Sequence, residues 1–559
     1  MKRLHWLSLL LCLTVILAAA PPPVRARGGM VATDHRLASA AGAEVLAAGG
    51  NAVDAVVAAA LAAGVVQPAG SGLGGGGFAV VDGPERTPVV LDFREVAPAA
   101  ADRDIFVRAE AEGIADASQT GGLAVAVPAE GLGLAELHAR YGRLPLTRVA
   151  RPAIRLAARG FSVEEHLAAS LEGRGAAGPR LASALFGAVS SEQALPAPGD
   201  VVRRPALARA LRAFAHTGGE ALRSGWVAED MVAAARDAGG VLSLDDLAAY
   251  EVRERPPVIG HYRGWTITTM PPPSSGGAVL LQVLGVLEAY DLGALGEGSA
   301  AEWHLLAEAM QHAYADRAHF MGDPDRVEVP LDRMLSADRI AAVRAAIDMT
   351  TTLPADAYGL PVDPGHDAGT QHISVVDDRG LSVALTTTIN TAFGAEVVAP
   401  RSGIVLNDEM DDFVARPGVP NAYGLVGSEA NAVSPGSRPL SSMTPTILER
   451  PDGRRIVIGA SGGPFIISST LQVILGIVDF GLDPAEAVAR PRMHHQWQPR
   501  LLFVDDGVPV DVIEGLRARG HRVRPMPFFS AVQVVTRDAD GELLAASDPR
   551  KGGWPAGVR

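Results

Sequence analysis

Thr370-Gln371-His372-Ile373-Ser374-Val375-Val376, then Asp377-Asp378-Arg379-Gly380 and the run Leu381 to Ile389, is the stretch that decides how this chain folds. Two strand-like runs flank a cluster of turn formers, which reads as a β-hairpin. Upstream, Pro361-Val362-Asp363-Pro364-Gly365-His366-Asp367-Ala368-Gly369 has no apolar periodicity and reads as an exposed loop. A loop entering a buried strand is ordinary, but the junction residue is a threonine. If the chain is cut between Gly369 and Thr370, that threonine gains a free α-amine beside its hydroxyl. An α-amine has an unperturbed pKa of roughly 7.7 to 8.0, which suits it to accept the hydroxyl proton near neutral pH. On the local sequence alone, the plainer reading of Thr370 as a strand start is the better one.

Composition removes several classes of chemistry. A net charge of −14 over 559 residues argues against a nucleic-acid surface or a basic membrane-binding face. Lysine occurs only at Lys2 and Lys551, so a P-loop lysine, an internal Schiff base and a Ser–Lys dyad are excluded from the body of the chain. The single cysteine, Cys12, leaves no intrachain disulfide and no thiol nucleophile in the folded part. Cys12 belongs to the leader: Lys2 and Arg3 precede the short apolar run Leu7 to Ala20, as in a signal peptide. Ala18-Ala19-Ala20 and Val24-Arg25-Ala26 are both cleavage candidates, and Pro21 after the first favours a cut after Ala26. An uncleaved anchor is the alternative, while Leu11 before Cys12 speaks against a lipoprotein. Residues 1–26 are thus expected to be a signal peptide, and the mature protein periplasmic or secreted.

In chain order, Asp34 is placed to cap a helix from His35 to Ala48, and Asn51 opens an Ala/Val-rich helix ending near Gly64. Gly72-Leu73-Gly74-Gly75-Gly76-Gly77 satisfies G-x-G-x-x-G, yet a helix precedes it and the strand Phe78 to Val81 follows. That order is wrong for a dinucleotide site, so a tight turn with close backbone approach is expected. Val89 to Phe93 is a strand delivering Arg94 and Glu95, and a guanidinium there can grip a carboxylate in bidentate fashion. Arg174 to Pro198 carries few order signals and reads as a loop. His304, Glu308 and His312 share one face of a helix from Ala301 to Phe320; the spacing fits a metal, but a packing face is favoured. Met493-His494-His495-Gln496-Trp497 likewise reads as structural.

Gly459-Ala460-Ser461-Gly462-Gly463 matches G-x-S-x-G between a strand and a helix, with Asp505 or Asp506 and His521 following in the order of a serine hydrolase. Taken alone it nominates Ser461 as nucleophile. The rival reading makes Gly462 and Gly463 an oxyanion hole for another nucleophile, their backbone N–H groups facing an attacked carbonyl.

Further words settle the choice: Gly49-Gly50-Asn51-Ala52-Val53-Asp54-Ala55, Leu73 to Phe78, Asp92-Phe93-Arg94-Glu95-Val96-Ala97-Pro98, the Thr370 strand, Asn407 to Phe413, Arg438-Pro439-Leu440-Ser441-Ser442-Met443, Ser461-Gly462-Gly463 and Ala546-Ser547-Asp548-Pro549-Arg550. From Met30 to Arg550 the chain resembles, in this order, the gamma-glutamyltransferase family of N-terminal nucleophile hydrolases. The resemblance implies a four-layer αββα sandwich and cleavage into a large subunit, 27–369, and a small subunit, 370–559, that stay together as a heterodimer. It implies Thr370 as nucleophile, Thr388 as its hydrogen-bonding partner, and Gly462 and Gly463 as the oxyanion hole. Arg94 with Ser441 and Ser442 would receive the substrate's α-carboxylate; Asn390, Glu409 and Asp412 its α-ammonium. The loop Pro417 to Ser428, with Tyr423, resembles a lid. The implied substrates are glutathione and other γ-glutamyl amides, with water, amino acids or peptides as acceptors. No metal or organic cofactor is expected, nor any nucleic-acid partner or stable membrane association. The alternatives are a cephalosporin or glutaryl amide acylase of the same fold, a serine hydrolase using Ser461, and an unprocessed binding protein.

Overall fold

The computed structural model describes residues 21–84, 86–187, 195–354, 357–358, 369–416, 419–527 and 530–559. The expected leader up to Ala20, the segment from Pro361 to Ala368 expected to be a loop, and Pro417 and Gly418 at the start of the expected lid lie outside them.

Two seven-stranded antiparallel sheets form the centre. Their strands, in chain order, are β1 (Val24–Ala26), β2 (Gly29–Thr33), β3 (Gly76–Gly83), β4 (Arg86–Phe93), β5 (Arg253–Arg255), β6 (Val258–Tyr262), β7 (Trp265–Thr269), β8 (Gln371–Asp377), β9 (Ser382–Thr388), β10 (Thr446–Glu449), β11 (Arg455–Ser461), β12 (Ala531–Arg537), β13 (Leu543–Ser547) and β14 (Ala556–Val558). One sheet runs β1-β13-β12-β11-β10-β7-β6, the other β14-β2-β8-β9-β3-β4-β5. The expected hairpin is β8–β9, in the middle of the second sheet, with Gln371 opposite Thr387 and a turn closed by Gly380 N–H on the Asp377 carbonyl.

Alternation along β8 explains the layering. Ile373 and Val375, with Val383 and Leu385 of β9, join the core under the helices α1 (Arg36–Ala47) and α2 (Ala52–Val66). The intervening Val376 and Ala384 join the core shared with the other sheet. That sheet is backed by α3 (Gly276–Leu287) and α5 (Phe465–Val478), with α4 (Ala300–Phe320) packed on α3. The result is the expected helix–sheet–sheet–helix sandwich. By the period of two, Thr370 shares the inter-sheet face of His372 and Ser374, while Gln371 points the other way and its amide reaches the Gln67 carbonyl at 3.1 Å. Every residue of α2 is buried, which accounts for its uninterrupted Ala/Val composition.

Some expectations are corrected. His35, not Asp34, caps α1 through its ring nitrogen; the Asp34 carboxylate instead takes the His372 N–H and the Gln533 amide. The segment read as a loop from Arg174 contains a helix, Gly178–Phe186, whose Leu181, Ala182 and Leu185 are buried, an amphipathic pattern too short to stand out from its glycines. The glycine turn behaves as read: a Cβ on Gly74 or Gly75 would lie 2.0 Å from the carbonyl oxygen of Val405 or Thr388. Val24–Ala26, placed in the leader by the sequence, pairs with Ala545, Leu544 and Leu543 as an edge strand.

Candidate active site

β8 begins one residue after the Gly369–Thr370 bond, and β9 ends at Thr388, so the hairpin register places the two threonines side by side. Their hydroxyl oxygens are 3.1 Å apart. Both hydroxyls donate to one acceptor, the Gly369 carbonyl oxygen, at 2.6 Å from Thr370 and 2.7 Å from Thr388. The Asn390 N–H donates to the Thr388 hydroxyl at 2.8 Å, and the Gly369 N–H to the Asn390 carbonyl at 2.9 Å. Gly369 is obligatory here, since a Cβ would meet the carbonyl oxygens of Thr391 and Ala69 at 2.6 and 2.9 Å.

Across the sheet interface, β11 ends at Ser461 and hands over to Gly462 and Gly463 before α5. Gly462 has φ +126° and Gly463 +55°, left-handed backbone that favours glycine. Side chains there would strike the Ser530 backbone and the Tyr423 ring. Tyr423 in turn donates its hydroxyl to the Asn390 carbonyl at 2.7 Å, tying its loop to the turn that follows Thr388. Thr370, Gly462 and Tyr423 line one cavity.

Residues expected to receive a zwitterion come together at the end of β4. Arg94 is fully buried; its Nε donates to the Pro439 carbonyl at 3.1 Å, and its two terminal nitrogens reach Glu409 and Asp412. The basic and acidic halves thus neutralise each other. Ser441 accepts the Met443 N–H, whereas the buried Ser442 hydroxyl has no hydrogen-bond partner among the described residues. The Asn390 amide is turned to the Asp408 carbonyl.

Sequence reasoning missed three contributors. Glu95 lies wholly buried beside Arg94 and Glu409, both its oxygens without a hydrogen-bond partner among the described residues. Burial, opposed by Arg94, pushes its carboxyl up to about 8, and burial also raises Glu409 well above the usual carboxylate range. Asp408 holds the Thr391 N–H and hydroxyl, fixing the turn after Asn390. Lys551 donates to the Thr370 carbonyl at 3.2 Å. It also faces Asp34, whose carboxyl burial pushes up to about 6 against the pull of this ammonium. Its isolation as the lone lysine of the folded chain was the available signal.

The rival groupings do not assemble. Ser461 donates weakly to the Ala531 carbonyl at 3.4 Å, while His521 is bound to His304 at 2.8 Å and Asp505 to Arg550 at 2.5 Å. A serine triad is therefore absent among the described residues. His304 and Glu308 do approach a third group within 4.8 Å, but it is His521 and not His312, whose ring packs on Tyr358 instead. His494 is held by Ser468 and Gln496. His372, two residues after Thr370, is lowered to about 3 by burial and hydrogen-bonds Thr386 and Ser374, so it is neutral packing between the sheets.

A buried threonine heading a central strand of a four-layer sandwich, with a second hydroxyl and a glycine turn beside it, defines the N-terminal nucleophile hydrolase class. Within that class the chain belongs to the gamma-glutamyltranspeptidase family, whose model matches residues 38–558. It is 39% identical to the glutathione hydrolase proenzyme of Escherichia coli, over 94% of this chain and 91% of that protein. Against the same-named proenzyme of Pseudomonas sp. (strain A14) the identity is 41%, over 94% of this chain and 93% of that one. Among solved structures it resembles the cephalosporin acylase of Bacillus halodurans, with TM-score 0.84, 28% identity, and 96% and 97% of the two chains covered. The Helicobacter pylori gamma-glutamyltranspeptidase gives TM-score 0.54 and 37% identity over 57% of this chain and 92% of that one. The chain is an enzyme of this family.

Proposed function

We propose that this enzyme cleaves itself between Gly369 and Thr370 and then transfers γ-glutamyl groups from glutathione and related amides to water or to amino-acid and peptide amines. One observation carries the reading: the hydroxyls of Thr370 and Thr388 converge on the Gly369 carbonyl. Attack by the Thr370 hydroxyl on that carbonyl carbon moves the acyl group from nitrogen to oxygen. Thr388 donates to the oxygen on which charge develops, and water hydrolyses the resulting ester. The freed Thr370 amine then serves as base for the same hydroxyl. In turnover, the hydroxyl attacks the γ-carbonyl, its proton passes through the α-amine to the departing amine, and Gly462 and Gly463 stabilise the oxyanion. Water or an acceptor amine reverses the sequence and regenerates Thr370.

The substrate's glutamyl end would enter between the halves of the Arg94–Glu409–Asp412 cluster, exchanging internal ion pairs for its own carboxylate and ammonium, with Ser441, Ser442 and Asn390 around it. Likeness to a cephalosporin acylase favours a second reading, a glutaryl-type amide as donor. The paired acids Glu409 and Asp412 speak against it, because such a donor brings no ammonium to them. A γ-glutamyl anilide and a glutaryl anilide, assayed side by side on the processed protein, separate the two. Export by the leader completes the proposal; among the described residues no helix is long and apolar enough to cross a membrane. Because Val24–Ala26 is built into a sheet, a cut after Ala26 would strip an edge strand, and sequencing of the mature N-terminus tests that boundary.

A further inference from the structure

We propose that His304, Glu308 and His521 form a structural zinc site that ties the chain before Gly369 to the chain after it. The inference stands apart from the γ-glutamyl reading, since none of the three residues lines the cavity at Thr370. His304 and Glu308 lie one turn apart on a face of α4, both wholly buried. His521 comes from the other side of the Gly369–Thr370 bond. It follows the helix Val510–Ala518, which packs on α4, and its N–H returns to the Leu516 carbonyl at 3.2 Å over Gly520 at φ +94°. That closure fixes the backbone from which the buried His521 ring enters. One donor atom from each of the three lies within 4.8 Å of the other two.

The hydrogen bonds around the trio are those of metal ligands. His304 Nε2 meets the Asp348 carbonyl at 2.7 Å; a carbonyl only accepts, so the ring proton sits there and Nδ1 keeps its lone pair. A ligating imidazole commonly donates its other N–H to such a carbonyl, which fixes the ring and its tautomer. The lone pair faces His521 Nε2 at 2.8 Å. On the third side, the Glu308 oxygens accept from the Gln311 amide at 2.9 Å and from the Tyr358 hydroxyl. Outer bonds of this kind orient a carboxylate and still leave it lone pairs for an ion. Zinc arms of about 2.0 to 2.1 Å set neighbouring donors roughly 3.3 Å apart, so the two rings part by roughly half an ångström and the His521 proton moves to its Nδ1. Two nitrogens and one carboxylate suit zinc, with water in the fourth position, whereas calcium and magnesium take about six or more oxygens. Arg500 and Arg519, near His521, are held on the Leu353, Met349 and Gly515 carbonyls, and the Glu308 charge offsets a cation beside them.

In the test, untagged protein stripped with a chelator and dialysed is titrated with zinc chloride by calorimetry, and melted with and without the ion. Wild type is expected to take up one zinc per chain, its melting temperature rising by about 2 °C when free zinc is about a hundredfold above Kd. His304→Gln and His521→Gln each keep an amide able to hydrogen-bond across the pair but ligate poorly. Their zinc affinity should fall by more than the roughly 10- to 100-fold of an outer-shell change, and most of the melting shift should go with it. Stripped variants should melt close to stripped wild type. No zinc uptake by wild type, or uptake whose affinity is unchanged in both variants, overturns the proposal. Cobalt(II) added to stripped wild type reads the site without any substitution: a visible d–d band displaced by one equivalent of zinc is expected, and its absence counts equally against the site.

Discussion

Thr370 and Ser461 were rivals as nucleophiles, and their surroundings now give opposite expectations. Thr370→Ala removes the attacking oxygen in both maturation and turnover. A single uncut band on denaturing electrophoresis and a loss of at least about 10³-fold in activity are expected. Ser461→Ala removes a long contact to the Ala531 carbonyl and a hydrogen bond to the buried Asp34 carboxyl, neither of which touches the Thr370 hydroxyl, and two bands with most activity retained are expected. Asp412→Ala would leave part of the buried Arg94 charge uncompensated; at about 3 to 5 kcal/mol for a broken buried pair, kcat/KM should fall roughly 10²- to 10⁴-fold. Glu95 supplies a pH prediction. Its carboxyl, ordinarily near 4.5, sits at about 8 in the fold, so the folded state holds this proton more tightly than the unfolded chain. The stability it contributes is fully present below about 4.5 and is lost as pH rises towards 8. Glu95→Gln cannot lose that proton, so its melting temperature should fall less than that of wild type between about pH 5 and pH 8. Thr370 stood out only through the ordered family words around it, because its own junction reads equally well as a plain strand start. Glu95 was not legible, because its unusual state comes from burial beside Glu409, far away in the chain.

Among the elements, the β8–β9 hairpin does most to build the site. Its register sets Thr370 against Thr388, and its turn was readable from Asp377-Asp378-Arg379-Gly380. The turn between β11 and α5 contributes the opposite wall, and there backbone shape matters more than side chains. Gly462→Ala forces a Cβ against the Ser530 backbone at 2.7 Å and at a φ of +126°, displacing the N–H it carries. A loss of about 10² to 10³ in kcat is expected, with far less change in KM. Gly369→Ala should block maturation, because the Cβ cannot fit between the Thr391 and Ala69 carbonyls; an uncut band on electrophoresis would record it. The G-x-S-x-G match showed the limit of motif reading. The strand–turn–helix context was right, yet the other members of a triad sit elsewhere, His521 against His304 and Asp505 against Arg550.

For the molecule as a whole, cleavage after Gly369 would produce two pieces that share both sheets. In the second sheet, β8 and β9 of the later piece lie between β2 and β3 of the earlier one; in the first, β1, β6 and β7 flank β10 to β13. Neither piece has a complete sheet or a closed core without the other. The processed halves should therefore co-elute on size-exclusion chromatography, unfold in one transition and separate only in denaturant. Independent melting of the two pieces would contradict that intertwining.

By itself, the sequence determined the hairpin that starts at Thr370, the glycine turns and the order of words that mark the family, because each is written in neighbouring residues and periodicity. It also carried the charges expected to meet a zwitterion, Arg94, Glu409 and Asp412, as chemistry without arrangement. Only the tertiary structure decided that those charges meet one another, that Glu95 is buried beside them and that Val24–Ala26 is strand. Those outcomes depend on burial and on contacts between residues hundreds of positions apart, and neither quantity exists until the two sheets close on each other.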